Sequence, residues 1–315
     1  MIDYTICYRE LVSPGDSYFI SRSFDFLWAA WTKDERAHAL YDRIQARNKQ
    51  WIILPEYGFA EREIPLGSFA PTDTRDEAEL ITRFLDASGF NESSSICIDI
   101  TGFLAPYLLF LLRALAVRGI SNVELLYAEP GRYLESEETQ FSSENVRFVR
   151  QIYGYEGTHA PDTSKDVLIL GVGYDHQLLK IVASSKEGAR TIQLFGLPAL
   201  RPDMYQQSIL RASRAAEALG RPPGEHPDNL PLPAYDPFTT ATILSKLTED
   251  REFTNLYLCP LSTKPQVVGF GIFYINECID KPISILYPFC SAFSKETSVG
   301  IGRIWAYTAE LNLSS

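Results

Sequence analysis

The fold of this chain is decided by the stretch Ile96-Cys97-Ile98-Asp99-Ile100-Thr101-Gly102. Its continuous apolar residues are typical of a strand that is covered on both faces, as in a parallel sheet. The apolar run Phe103–Val117 follows the Asp-x-Thr-Gly end at once and predicts a helix. An open α/β sheet holds its ligand at such a junction, outside the carboxyl end of a strand. The stretch therefore predicts a doubly wound α/β fold with ligand contacts at Asp99, Thr101 and Gly102.

Strand-like and helix-like segments alternate along the rest of the chain, which favours mostly parallel sheets. Further strands are predicted at Tyr4–Tyr8, Trp51–Leu54, Val123–Tyr127, Val167–Leu170, Thr191–Phe195, Leu256–Cys259, Ile283–Tyr287 and Ile304–Thr308. Helices are predicted at Asp34–Arg47, Asp76–Ala87, Phe103–Arg118, Asp175–Ser185, Met204–Leu219 and Thr239–Thr248. Two successive strand–turn–helix–strand units suggest a weak internal repeat. We predict two Rossmann-like halves, residues 1–155 and 156–315, the second with a Pro-rich loop at 221–237.

A second strand–helix junction lies at Gly171-Val172-Gly173-Tyr174-Asp175-His176. It is half of a dinucleotide fingerprint, but His176 stands where the third Gly belongs, so NAD binding of the usual kind is not expected. Gly171 and Gly173 would let the backbone approach a ligand, and Tyr174 would stack on a base. Asp175 would either accept from a ribose or cap the helix. Histidine is the usual acid–base side chain near neutral pH, so His176 is, with Asp175, a candidate catalytic group.

Two further strand ends carry polar side chains. Glu129 and Tyr133 follow the strand Val123–Tyr127, where Glu129 would accept from a base or ribose; a polar surface loop is the alternative. The loop Pro260–Gln266 follows another strand and combines hydroxyls, an amide and one cation. Its Thr263, Lys264 and Gln266 suit an anion or an adenine edge. We expect Thr101, Gly173 and Lys264 to converge on one cleft at the same rim of a twisted sheet.

Composition limits the classes of partner. The 315 residues carry a net charge of −11, and an acidic surface disfavours non-specific binding of duplex nucleic acid. The five Cys residues form no CxxC pair and none lies close to a His, so a structural zinc site is not expected. We predict no bound metal and no cofactor. The odd Cys count and the absence of a signal peptide or membrane-spanning run indicate a cytoplasmic protein. The GxSxG, GxxxxGK[ST] and HExxH motifs of serine hydrolases, P-loop NTPases and zincins are absent from the sequence.

The Asp-x-Thr-Gly strand end, the paired Rossmann-like halves and the late Ser-Thr-Lys-Pro loop resemble one group of proteins. These are the CARF-like, Rossmann-type nucleotide-sensing domains of prokaryotic defence systems. The resemblance covers residues 95–290 and implies a sensor of nucleotide second messengers that binds its ligand in loops, commonly across a dimer. It implies ligand contacts at Asp99, Thr101, Gly102, Thr263 and Lys264. It also implies a subunit of an anti-phage system that acts with a partner effector.

Three functions remain open at this point. The first is a non-catalytic sensor of a nucleotide-like molecule that acts with a protein partner or as a homodimer. The second is an enzyme acting on a nucleotide or phosphorylated metabolite through His176, Asp175 and Lys264. The third is a structural subunit of a multi-protein complex, in which both Gly-containing turns only connect elements. The sequence offers many residues typical of binding and few paired acid–base groups, which favours the first.

Overall fold

The fold is α/β, with two mixed sheets of six strands each and helices between the strands. The computed structural model of the protein describes residues 2–13, 18–133, 146–173, 175–200, 213 and 228–313. Parallel pairing predominates in both sheets, so the predicted class of two doubly wound, Rossmann-like halves is confirmed. In the described part of the chain, no helix is both long enough and apolar enough to cross a membrane.

The strands are β1 Arg9–Val12, β2 Ser23–Ala30, β3 Gln45–Ile52, β4 Ile96–Asp99, β5 Asn122–Tyr133, β6 Val146–Gln151, β7 Val167–Val172, β8 Arg190–Gly196, β9 Asn229–Leu232, β10 Leu256–Pro260, β11 Ile283–Cys290 and β12 Ser298–Glu310. The α-helices are α1 Tyr18–Ser21, α2 Glu35–Arg43, α3 Glu77–Ser88, α4 Ala105–Val117, α5 His176–Ser185, α6 Pro237–Glu249 and α7 Lys264–Glu277. Short 3-10 helices lie at Tyr4–Ile6, Pro55–Tyr57 and Glu61–Glu63. The predicted helix Met204–Leu219 lies outside the described residues apart from residue 213.

The first sheet has the order β1-β12-β5-β4-β2-β3. Strands β5, β4, β2 and β3 pair in parallel, whereas β12 pairs antiparallel with both β5 and β1. The direction of winding reverses between β2 and β4, and the polar end of the stretch that predicted the fold lies at this switch point. Strand β4 and helix α4 are buried along nearly their whole length, as continuous apolar runs require.

The second sheet has the order β6-β11-β10-β7-β8-β9. Its parallel strands, read from β9 to β11, occupy positions third, second, first, fourth and fifth along the chain, which is the Rossmann order. Helix α5 packs through Leu179 and Val182 onto Leu168, Leu170 and Val172 of β7. The winding reverses between β7 and β10, so the carboxyl ends of these two strands border the switch point of this half.

The chain divides into two compact units, but the division differs from the predicted boundary at 155/156. One unit holds the first sheet and consists of residues 7–144 and 292–311. The other holds the second sheet and consists of residues 1–6, 145–291 and 312–315. The C-terminal strand β12 therefore returns to the first half, because it pairs with β5 over residues Ser298 to Glu310.

The segments around residues 4–12 and 34–52 also differ from the predictions. Residues Tyr4–Ile6 form a 3-10 helix, and the strand begins only at Arg9. The helix predicted at Asp34–Arg47 ends at Arg43, because β3 starts at Gln45 with the polar residues of an edge strand. Strand β2 was not predicted, although its last four residues are fully buried.

Candidate functional site

The Asp-x-Thr-Gly turn of the first sheet is held by its own hydrogen bonds. The Thr101 backbone N–H donates to Asp99 Oδ1 at 2.9 Å, and Thr101 Oγ1 accepts from the Ala128 backbone N–H at 3.1 Å. A Cβ at Gly102 would overlap the backbone oxygen of Ala30, which ends β2. Gly102 in turn accepts a hydrogen bond from the Tyr57 hydroxyl at 2.8 Å. Thr101 and Gly102 therefore join neighbouring strand ends, and helix α4 begins three residues later, at Ala105.

Asp99 differs from the rest of this turn. It is fully buried, and its second oxygen, Oδ2, has no hydrogen-bond partner in the described part of the protein. Burial raises the pKa of Asp99 to about 7, against the lowering effects of the Thr101 hydrogen bond and of Arg36. The turn thus carries a carboxyl group that exchanges a proton near neutral pH.

Glu129 and Tyr133 lie on β5, which is longer than predicted. Glu129 is fully buried. Its carboxylate accepts two hydrogen bonds from Arg303, one from Nε at 2.8 Å and one from Nη2 at 3.0 Å. It also accepts from Trp305 Nε1 at 2.8 Å. Tyr133 is buried and faces Ser298 across the sheet. This pair lies within the β5–β12 ladder, where Glu129 binds side chains of the neighbouring strand.

In the second sheet, Gly171 and Gly173 lie where β7 meets the loop after β10. Gly171 pairs with Pro260, and its carbonyl oxygen accepts from the Leu261 N–H at 3.1 Å. A Cβ at Gly173 would overlap the carbonyl oxygen of Leu261, so only glycine permits this approach. A Cβ at Gly171 would lie 2.8 Å from Ser262 Oγ. Glycine at both positions brings the two loops at the switch point into direct contact.

The start of helix α5 is occupied by its own capping residue. Asp175 Oδ1 accepts from the backbone N–H groups of Gln177 and Leu178 at 3.0 and 3.2 Å. A carboxylate in this position neutralises the positive end of the helix dipole and competes with a ligand phosphate. Tyr174 and the side chain of His176 lie outside the described part of the structure.

The loop after β10 leads directly into a helix that the sequence did not predict. Thr263 is the N-cap of α7 and Lys264 is its first residue, so the lysine begins a helix rather than sitting in a loop. The Thr263 side chain makes no capping bond, because its Oγ1 donates to the Ala234 carbonyl in a short hydrogen bond. Gln266 is buried, and its Nε2 donates to the Leu232 carbonyl at 3.4 Å. Among the described residues, Thr263 therefore does not cap α7 in the way that the Asp175 carboxylate caps α5.

Ser262 opens the Ser-Thr-Lys-Pro loop but is not among the ligand contacts that the sequence predicts. Ser262 Oγ is buried and has no partner among the described residues. It faces Gly171 across the switch point, where a missing Cβ leaves it room. A hydroxyl next to two glycines at a strand end is the only signal that the sequence gives for it, and this signal is weak.

The candidates form two groups on separate sheets. Asp99, Thr101 and Gly102 belong to the first sheet. Gly171, Gly173 and Lys264 border the switch point of the second. The prediction that Thr101, Gly173 and Lys264 lie at the same rim of one sheet is therefore wrong, because each half builds its own sheet.

The second-sheet group places the Lys264 cation, the Ser262 hydroxyl and the N-terminus of α7 at one switch point. These groups suit the binding of an anion. In the described residues, no three His, Cys, Asp or Glu side chains are grouped to hold a metal ion.

Comparisons of the chain with protein-family models, with curated proteins and with solved structures found no match.

Proposed function

We propose that this protein binds and senses a nucleotide or another phosphorylated ligand at the switch point of its second sheet. The observation that carries the proposal is the Rossmann strand order of that sheet. It sets the carboxyl ends of β7 and β10 side by side. Gly171 and Gly173 lie at the end of β7, and Lys264 begins the helix that follows β10. Ligands of doubly wound folds bind at this position.

The local chemistry favours the α7 side of the switch point for the ligand's negative charge. Helix α7 begins with Lys264 and lacks a side-chain cap, whereas α5 is closed by the Asp175 carboxylate. A helix N-terminus and a lysine together attract phosphate, even on a chain with a net charge of −11. The use of Asp175 as a cap speaks against its role in catalysis and favours binding over turnover.

The resemblance to CARF-like sensors extends the proposal. We infer that the chain is a subunit of a prokaryotic anti-phage defence system and acts with a partner effector or as a homodimer. The proposal includes a cytoplasmic location, in keeping with five cysteines that form no disulfide bond in the described residues. Its ligand is of the nucleotide class, and the residues that would hold it are Ser262, Lys264 and the backbone at Gly173.

Isothermal titration calorimetry with ATP, GTP, cyclic AMP and linear tetra-adenylate tests this proposal. Lys264→Ala should weaken the binding of whichever probe binds by about 10- to 100-fold, because a charge-assisted hydrogen bond is lost. Lys281→Ala is the matched control, since this exposed lysine precedes β11 and lies at the opposite, amino end of the same sheet. Equal affinities of the wild type and Lys264→Ala would remove the site from this switch point.

A further inference from the structure

Four buried polar atoms without a partner belong to residues at or after the carboxyl ends of strands in the first sheet. In the part of the chain that is described, Trp31 Nε1, Arg36 Nε, Glu56 Oε2 and Asp99 Oδ2 are enclosed and make no hydrogen bond. Trp31 and Arg36 follow β2, Glu56 follows β3, and Asp99 is the last residue of β4. Buried polar atoms nearly always find a partner in the protein, a water or a ligand, so a water or a ligand at these atoms would complete their hydrogen bonding.

Arg36 and Asp99 are joined by a short chain of hydrogen bonds. Arg36 Nη1 donates to the Ala128 carbonyl at 2.9 Å, and the Ala128 N–H donates to Thr101 Oγ1 at 3.1 Å. The Thr101 N–H donates to Asp99 Oδ1 at 2.9 Å. Arg36 is 6% exposed and Asp99 is 0% exposed. A donor, Arg36 Nε, and an acceptor, Asp99 Oδ2, thus remain unsatisfied on two neighbouring and oppositely charged groups.

We propose that the carboxyl end of the first sheet is a second, enclosed binding site for the edge of an uncharged nucleobase. Asp99 Oδ2 accepts from an amino or ring N–H of the base, and Arg36 Nε donates to the ring nitrogen or carbonyl beside it. A donor and an acceptor of this kind match the acceptors and donors that a base edge presents. The proposal concerns the first half only and does not rest on the function assigned to the second sheet.

The charges around this site select an uncharged ligand. A phosphate would face the Asp99 carboxyl group, and a cation would face the Arg36 guanidinium. Trp31 contributes a ring from a cluster in which His38 lies 4.4 Å and Trp51 lies 5.1 Å from it, measured between ring centroids. An aromatic ring can stack on any of the bases, because every base has a flat π-face.

A strap formed by residues 292–298 crosses the loops that follow β2 and β3. The Lys33 N–H donates to the Lys295 carbonyl, and the Phe293 N–H donates to the Glu56 carbonyl, both at 2.9 Å. Asp34 Oδ1 accepts from the N–H groups of Thr297 and Ser298 at 3.0 and 3.1 Å. Because Asp34 also accepts from Arg36 Nη2, the strap is tied to one wall of the site. A base therefore enters when the strap is displaced and is enclosed when it returns.

The test uses free adenosine, guanosine, cytidine and uridine, which carry no phosphate. Equilibrium binding should detect at least one of these nucleosides on the wild type. Its affinity should be at least tenfold weaker for Asp99→Asn and unchanged for Lys264→Ala. Lys264→Ala separates this site from the nucleotide site of the second sheet. Equal affinity for the wild type and Asp99→Asn would overturn the proposal, as would binding of none of the four, which would leave only a buried water at these atoms.

Hydrogen exchange on the wild-type protein keeps the test independent of whether the variant folds. A bound nucleoside should slow the exchange of the Lys33, Phe293, Thr297 and Ser298 amides by about tenfold, because these amides hold the strap closed. The amides of β10 in the other half are the internal reference. Unchanged exchange of the strap at saturating concentrations of every nucleoside would equally overturn the proposal.

Discussion

Asp99 is the residue at which the fold and the chemistry of the first sheet meet. Its Oδ1 holds the turn that connects β4 to α4, while its Oδ2 is left for an additional partner. Glu129 is the contrasting case, since Arg303 and Trp305 together occupy both of its oxygens. Two carboxylates near the same sheet edge thus have different uses, and only their hydrogen-bond partners distinguish them.

The proton on Asp99 predicts a pH dependence of stability. Burial raises its pKa from 3.8 to about 7, so the folded protein holds the proton more tightly than the unfolded chain. This contribution to stability is fully present below about pH 4 and is lost as the pH rises through about 7. Between pH 5 and 8 the wild type should lose about 2–3 kcal/mol from this group.

Urea unfolding at pH 5, 6, 7 and 8 measures this loss. The difference between the wild type and Asp99→Asn isolates the one carboxyl group, because Glu56, whose pKa burial also raises, is common to both proteins. For Asp99→Asn, the fall in the free energy of unfolding between pH 5 and 8 should be smaller by about 2–3 kcal/mol. Parallel curves for the two proteins would show that Asp99 is ionised throughout this range.

Residue identities alone predicted where strands meet helices, but not how each side chain is used. The Asp-x-Thr-Gly end correctly marked a junction at a switch point. The Thr101 hydroxyl, however, is engaged by Ala128, which lies on β5 and is 27 positions away in the chain. Arg36 was not among the candidates, because its position in α2 indicates nothing about the Ala128 carbonyl that it reaches. Such partners depend on strand order, which a single sequence does not contain.

At the scale of elements, the contact between the β7 and β10 loops gives a graded prediction. Gly173→Ala should destabilise the protein by about 3 kcal/mol, because its Cβ meets the rigid backbone oxygen of Leu261. Gly171→Ala should cost about 1 kcal/mol, since the atom it meets is the movable Oγ of Ser262. Midpoints of urea unfolding for the two variants measure both costs, and equal midpoints would contradict the stated packing.

Elements with continuous apolar sequences were predictable, and those at the sheet edges or switch points were not. Strands β4, β7 and β10 match their predicted positions closely, because burial on both faces gives an unbroken apolar run. Strand β3 begins in the polar run Gln45–Gln50, where an edge strand faces solvent and resembles a helix end. Helix α7 was missed because its Gly and Pro residues indicate a loop, although Pro265 suits a first helical turn.

For the whole molecule, the course of the chain was the least predictable feature. Residues 292–311 return to the first half, and residues 1–6 pack in the second. The return depends on the antiparallel pairing of β12 with β5, which joins residues more than 160 positions apart, from Ser298 with Tyr133 onward. Neither strand carries a local signal for its partner, so sequence reasoning assigned the C-terminal strand to the nearer sheet.

The most direct test of the central claim is photolabelling with 8-azido-ATP, followed by peptide mapping. We predict adducts within residues 171–177 or 261–266, since these loops border the switch point of the second sheet. Excess ATP should suppress them, and Lys264→Ala should reduce them. Adducts confined to other segments, or labelling that ATP does not suppress, would contradict a nucleotide site at that switch point.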